Sequence, residues 1–216
     1  MKTSIAVVIP NRAGRELFME QCLKLIDRQT LKPDHIEIVD YAPRSLEKDI
    51  TQRYKYGYNR CRAFNVVLFM ENDDYYHPQY IEYMVSKWIE NGRPDLLGMD
   101  HTIYYHLGKR AYFTMHHITR SSAMNTLLTG NLNFTWPADN DPYTDIHIWM
   151  KAGLNGLIIT PDREYCIGMK HGIGLCGGAN HTTSLHRFIN DDKDGTFLKS
   201  NVDPDSLQFY LDFAHG

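Results

Sequence analysis

The segment VVLFMENDDYYHP holds the densest chemistry in the chain, because Glu71, Asn72, Asp73 and Asp74 follow one another directly after an apolar run. Three carboxylates and an amide within four residues repel one another unless a cation or cationic side chains lie nearby. A hard divalent ion with oxygen ligands meets that need, and Mg²⁺ or Mn²⁺ held by one or two carboxylates keeps its other positions for water and phosphate oxygens. The same residues also allow a plainer reading, an acidic turn whose Asp73 and Asp74 face the positive end of a helix opening at Pro78.

The acids must be positioned by the run before them. Val66 to Met70 is apolar throughout and predicts a buried strand, so the cluster falls at a strand's carboxyl end, where open α/β sheets bind ligands. Ile5 to Ile9, ended by Pro10, predicts an earlier strand buried on both faces, as in a parallel sheet. Phe18, Cys22, Leu25 and Ile26 recur at helical spacing within Glu16–Gln29, and His35 to Val39 is a second strand. That order is β-α-β, for which a right-handed crossover is the economical topology. Ile50, Tyr54, Gly57, Tyr58 and Cys61 predict a second helix, and Ile81, Met84, Val85 and Trp88 a third that Pro78 opens and Gly92 closes.

After Pro94 the pattern changes. Leu96–Met99, Thr102–His106 and Ala111–Met115 predict strands, the last two antiparallel about a turn at Gly108. Ser121 or Ser122 predicts the cap of a short helix through Leu128, Tyr143–Ala152 a further helix, and Leu157–Thr160 a last strand. Cys166–Asn180 is dense in glycine and predicts a mobile loop, either plain surface or a substrate lid. Leu207, Phe209, Tyr210, Leu211 and Phe213 allow a docked terminal helix.

At 216 residues the chain suits one domain, against a prior of roughly 150 per domain. It divides on this reading into a nucleotide-binding half over 1–95, an acceptor-side half over 96–190 and a C-terminal tail over 191–216. A formal charge of −3 without a block of one sign argues against unspecific capture of nucleic acid. No apolar run is long enough to span a membrane and the apolar stretch after Met1 is short for a signal peptide, so an intracellular protein is expected. Cys22, Cys61, Cys166 and Cys176 lack zinc-type spacing and read as buried thiols.

IAVVIPNR, HIEIVDYAP and AFNVVLFMENDDYYHPQYIEYMV, in this order, resemble the nucleotide-diphosphosugar transferases of GT-A fold. The likeness is strongest to the large inverting family patterned VIIPxxNR … VVDD … GxxIxFLDxDDxxxP, and within it to small stand-alone members carried by large DNA viruses. It covers about residues 4–90 and, more loosely, 140–175. The resemblance implies an α/β Rossmann-like fold with a mostly parallel sheet and a small antiparallel section. It also implies a cytoplasmic enzyme (host cytoplasm if viral) that uses Mn²⁺ or Mg²⁺ to move a sugar from a UDP-sugar donor to a carbohydrate or other hydroxyl acceptor.

Carried onto this sequence, the resemblance puts Pro10 and Arg12 at the base and ribose and Asp40 on the uracil ring. Glu71-Asn72-Asp73 becomes the D-x-D motif, with Asp73 on the metal and Glu71 near the ribose or a metal-bound water. Asp145, in YTDIHIWMKAG, matches the general base, with Asp141 and Asp139 as substitutes and a first-turn acid of the helix ending near Ala152 as its plainer reading, and His171, in GMKHG, matches a late histidine on the metal or diphosphate. Thr144 stands where the family has Glu, Glu71 where it has Asp, and Tyr54-Lys55 where it has Arg-Asn. Arg53, Lys55 and Arg60 still supply cations on that helix, and with Gly57 they are assigned to the donor side; a solvated basic face is their other reading. Trp136, Tyr143 and Trp149 are the candidates for an aromatic platform under the sugar, with core packing the commoner role of a tryptophan.

A sugar-phosphate nucleotidyltransferase would need a glycine-rich phosphate loop after the first strand, and PNRAGRE has a single glycine. The non-enzymatic alternative is a nucleotide-sugar-binding or assembly module that has lost turnover, with Thr144 and Tyr54 as its symptoms.

Overall fold

The computed structural model describes residues 2–40, 48–172 and 184–215. Its organising element is a six-stranded sheet built on β1 (Ile5–Pro10), β2 (His35–Val39) and β3 (Val66–Phe69), all parallel. β8 (Thr126–Thr129) lies antiparallel between β3 and β5 (Leu96–Met99), and β9 (Gly156–Ile159) closes the edge parallel to β5, giving the order β2-β1-β3-β8-β5-β9. Alternation along β1 divides the core. Ile5, Val7 and Ile9 face α1 (Glu16–Asp27) and α3 (Tyr80–Glu90), while Ala6 and Val8 face α2 (Ile50–Cys61) and α4 (Thr144–Lys151). With helices on both faces, β1 and β3 are buried along their whole length, which is why they read as unbroken apolar runs.

A second, five-stranded sheet has the order β11-β7-β6-β10-β4. It contains β4 (Tyr75–Tyr76), the hairpin of β6 (His101–His106) and β7 (Ala111–His116), β10 (Cys166–Lys170) and β11 (Asn190–Asp191). Two short helices follow, α5 (Thr196–Asn201) and α6 (Pro204–His215). The fold is thus mixed α/β with a mostly parallel main sheet and a smaller, largely antiparallel one.

Two sequence expectations need correction. The segment after Ser121 makes only one 3-10 turn at Ala123–Asn125 before becoming β8, whose Leu127 and Leu128 enter opposite core layers. A slot between two strands overrode the helical reading. Cys166–Lys170 is strand and not loop; Gly168 lets the Tyr104 ring cross its face, where a Cβ would lie 2.6 Å from Tyr104 Cδ1. Residues 173–183, with Cys176 and the rest of the glycine-dense stretch, lie outside the described residues. Cys22, Cys61 and Cys166 are buried free thiols. Among the described residues no helix is long and apolar enough to cross a membrane.

The corner joining the two sheets is pinned by His101. Its Nδ1 lies 2.6 Å from Asp100 Oδ1 and its Nε2 3.2 Å from both oxygens of Glu164, just before β10. Hydrogen bonding to Glu164, and then to Asp100, outweighs burial and lifts the imidazole pKa to about 9. A folded-state pKa above the unfolded value means stability is fully present below about pH 6.5 and is lost as pH rises through about 9. We therefore expect His101→Gln to remove about 2–3 kcal/mol at pH 6 and much less above pH 9.5, read as the pH dependence of urea unfolding; equal losses at both pH values would refute the bridge. At the other face, a Cβ on Gly57 would lie 2.4 Å from Val8 Cγ1. Gly57→Val should push α2 off the sheet and cost about 1–3 kcal/mol in the same assay.

Candidate active site

β3 is buried on both faces and hands the chain from the large sheet to the small one through the turn Glu71–Asp74, since Tyr75 already pairs with β10. The acids therefore sit in the seam between sheets, at a strand's carboxyl end. Asn72, Asp73 and Asp74 are all buried. One ligand atom each from Glu71, Asp73 and Asp74 lies within 4.8 Å of the others.

Each acid is held from a different element. Tyr54 of α2 donates its hydroxyl to Glu71 Oε1 at 3.1 Å, and the Tyr76 hydroxyl accepts the Glu71 N–H at 2.7 Å. Arg15, just before α1, donates Nη1 to both Asn72 Oδ1 and Asp73 Oδ2 at 3.0 Å. His171, past β10, sets Nε2 2.8 Å from Asp73 Oδ2, with its ring 4.1 Å from that of Phe18 and against Phe213 of α6. Asp74 Oδ1 accepts the Met169 N–H of β10 at 2.8 Å. Asp73 Oδ1 and Asp74 Oδ2 are buried with no hydrogen-bond partner among the described residues.

The three carboxyls do not share one charge state. Burial alone would raise Asp73, but the His171 hydrogen bond and the charges of Arg15 and Lys170 outweigh it and bring its pKa to about 2. Burial pushes Asp74 well above the carboxylate range despite Lys170, with Asp73 and Glu71 adding to the rise. Glu71 is raised by burial and by Asp73. Lys170 is buried, with its ammonium 4.9 Å from the Tyr104 ring centre. Burial opposes its charge, yet Asp74, Tyr104, Asp73 and Glu71 hold it protonated. It makes no direct ion pair among the described residues. Two unpartnered buried oxygens beside a third carboxylate are a donor set for a hard divalent cation, so Glu71, Asp73 and Asp74 fit one.

Asp145 lies in the first turn of α4, paired with Arg120. Burial raises its pKa against the charge of Arg120. Tyr104 relates the two acid groups, since Glu71, Asp74 and Asp145 all reinforce the burial-driven rise of its phenol. The Thr144 hydroxyl, where a glutamate was expected, is bonded to Thr51 of α2, which also donates to the Asp141 carbonyl at 2.6 Å. Asp141 itself pairs with His147, and Asp139 with Lys55.

The corner assigned to the base and ribose is built around Asp49. Burial opposes its charge, but hydrogen bonds from Arg53 and Arg12 prevail and hold the carboxyl below its ordinary value. Arg53 also donates to the Asn11 and Val39 carbonyls at 2.5 and 2.9 Å, tying the ends of β1 and β2 together. Pro10 ends β1 opposite Val39, and exposed Asp40 follows β2. Residues 41–47 lie outside the described residues.

Two assignments are corrected. Gly57 is packed on Val8 and Val39 beneath the sheet and offers a donor no surface. Arg60, two helical turns beyond Arg53, pairs with Glu37 on β2 at 2.6 Å, away from the acids. Of the proposed aromatic platform, Trp149 is core, its Nε1 donating to Thr126 Oγ1, and Trp136 packs on Tyr58 and Phe134; Tyr143 remains exposed. Arg15, Asp49, Arg120 and Lys170 were not singled out from the sequence. Lys170 left one signal, a lone cation at the end of the apolar run CIGM.

No family model matches the sequence and no curated protein matches it. Solved structures do. A 1–349 fragment of S. aureus TarS in complex with UDP-GlcNAc matches at a TM-score of 0.53 and 13% identity, over 99% of this chain and 72% of that one. The same fragment in complex with UDP gives 0.51 and 12%, over 99% and 71%. Against a longer TarS chain the match, at a TM-score of 0.50 and 12% identity, covers 78% of this chain and only 37% of that one. At this identity the likeness is one of fold, and the fold is GT-A.

An uncharged amide at position 74 would keep the Met169 bond and remove a costly buried carboxylate. Asp74→Asn should raise the thermal midpoint of metal-free protein at neutral pH by about 2–4 °C. It should also abolish any further rise caused by Mn²⁺; a Mn²⁺ response as large as in the parent protein would remove Asp74 from the cation's ligands.

Proposed function

We propose that the chain is a metal-dependent glycosyltransferase of hexosyltransferase type that moves a sugar from a UDP-sugar to a hydroxyl acceptor, such as a glycan, in the cytoplasm. The observation that carries this reading is the pair of unpartnered buried oxygens, Asp73 Oδ1 and Asp74 Oδ2, at the end of β3 in a GT-A fold. The TarS structures with UDP and UDP-GlcNAc support a nucleotide-sugar donor.

Glu71, Asp73 and Asp74 would hold Mn²⁺ or Mg²⁺, which supplies Lewis-acid stabilisation of the diphosphate leaving group. Arg15 and His171 fix the Asp73 carboxylate so that its free oxygen need not reorganise. Lys170, buried and without a direct counter-ion among the described residues, would add a positive charge beside the position where phosphate charge develops. Pro10, Arg12 and Asp40 line the base and ribose side, with Arg53 and Asp49 as the rigid support beneath. Asp145 takes the acceptor's proton; burial makes it more basic, and Arg120 keeps it oriented. A single displacement assisted by one base inverts the anomeric centre.

The Arg120–Asp145 pair also favours a second reading, in which Asp145 is purely structural and the protein binds nucleotide sugars without turnover. Assays with UDP-sugars and Mn²⁺ separate the two, because only an enzyme releases sugar. We expect Asp73→Asn to abolish the Mn²⁺-dependent stabilisation by UDP. Asp145→Asn should leave that stabilisation intact and lower transfer by about 100-fold or more, whereas transfer at the parent rate would refute the base assignment. Lys170→Met should weaken UDP about tenfold and leave uridine unchanged.

A further inference from the structure

The amino end of β2 carries a second group of ligating side chains, far from the acids in the fold and unused by the transfer reaction. His35 and Glu37 are two residues apart on one strand, so they share a face of the sheet, the face that α2 covers. Cys61, the last residue of α2, comes down onto the same face. One atom from each of His35, Glu37 and Cys61 lies within 4.8 Å of the others.

We propose that His35, Glu37 and Cys61 form a binding site for a borderline-soft transition-metal ion such as Zn²⁺, with the imidazole, one carboxylate oxygen and the thiolate as ligands and a fourth position open to solvent. Three observations carry this. His35 Nε2 and Glu37 Oε2 are already 3.2 Å apart, close to the separation of about 3.3 Å that tetrahedral bonds of zinc to nitrogen and oxygen impose. Glu37 has its other oxygen, Oε1, held by Arg60 at 2.6 Å, the outer-sphere support that orients a monodentate carboxylate ligand. The ligand set is mixed: a thiolate and an imidazole select zinc-like ions, whereas the all-oxygen cluster at Glu71, Asp73 and Asp74 suits Mg²⁺ or Mn²⁺.

Accessibility fits as well. His35 is exposed and stacks on Phe64, so an ion can enter from solvent, while Cys61 is fully buried beneath it. Burial, with help from the charge of Glu37, pushes the Cys61 thiol up to about 11. A bound divalent ion would reverse that balance; the S–H bond breaks as the metal–sulfur bond forms, and the proton leaves to solvent.

The test is titration of the chelator-treated full chain with Co²⁺ alone, followed by Zn²⁺. We expect one equivalent of Co²⁺ to produce the near-ultraviolet thiolate-to-cobalt charge-transfer band, which Zn²⁺ then removes. Cys61→Ser should lose the band, and His35→Asn, a change at an exposed residue that leaves the fold intact, should weaken Co²⁺ more than about tenfold. Asp73→Asn should keep both band and affinity, which separates this site from the donor corner, whose own failure is read with UDP. Absence of the band, its persistence in Cys61→Ser, or its loss in Asp73→Asn would each overturn the proposal.

Discussion

Placing three carboxylates at the buried end of β3 is the constraint around which the rest of the molecule is arranged. A buried charge must be paired or given up, and the structure does both. Asp73 stays ionised because Arg15 and His171 bond it directly. Asp74 and Glu71 are raised instead. The partners arrive from the start of α1, the end of α2 nearest the cleft, β10 and the turn after it. Apart from β10 and the turn that follows it, these elements are distant from one another in sequence, so the fold is what assembles the site. The C-terminal helix α6 belongs to the same arrangement, since Tyr210 donates to the Asp74 carbonyl at 3.2 Å and Phe213 packs on His171.

This division of charge has a mechanistic consequence. A cluster whose carboxyls were all ionised would be strongly self-repelling without a cation, and one whose carboxyls were all neutral would bind a cation weakly. Holding Asp73 low and Asp74 high divides the charge of the cluster unevenly, and a divalent cation held there would compete with protons for the raised carboxyls. Lys170 offsets the charge of the acids without occupying the carboxylates, because its ammonium rests on the Tyr104 ring and acts on the acids only through space.

The fold was largely legible because its strands are buried on both faces and its helices on one, and each condition leaves a period in the sequence. β8 was not legible, since its helical alternative differs only in whether a slot exists between β3 and β5, and both of those strands come from elsewhere in the chain. In the site, Glu71, Asn72 and Asp73 were visible because contiguous acids are rare after an apolar run, and the structure places His171 beside them. Arg15 was invisible for the opposite reason: it sits in a polar stretch without periodicity, and its carboxylate partner is 58 residues away.

The misreading of α2 is the most instructive. The resemblance puts its cations on the donor side, because Tyr54-Lys55 stands where the family has Arg-Asn, with a solvated basic face as the other reading. Arg53 and Arg60 are seven residues apart, two turns of one helical face, and both are fastened to β2, one to the Val39 carbonyl and the other to Glu37. Charge periodicity at that spacing says that one face is basic, not what the face meets. Here it meets the edge strand of a parallel sheet, with Gly57 between the two arginines allowing the helix to approach Val8 and Val39. Arg53 and Arg60 thus fasten both ends of this close contact to β2. The corner formed by Arg12, Asp49 and Arg53 is cross-linked by two ion pairs and by the Arg53 bonds to the Asn11 and Val39 carbonyls, and a corner preorganised in this way would lower the cost of binding the proposed nucleotide without those arginines touching it.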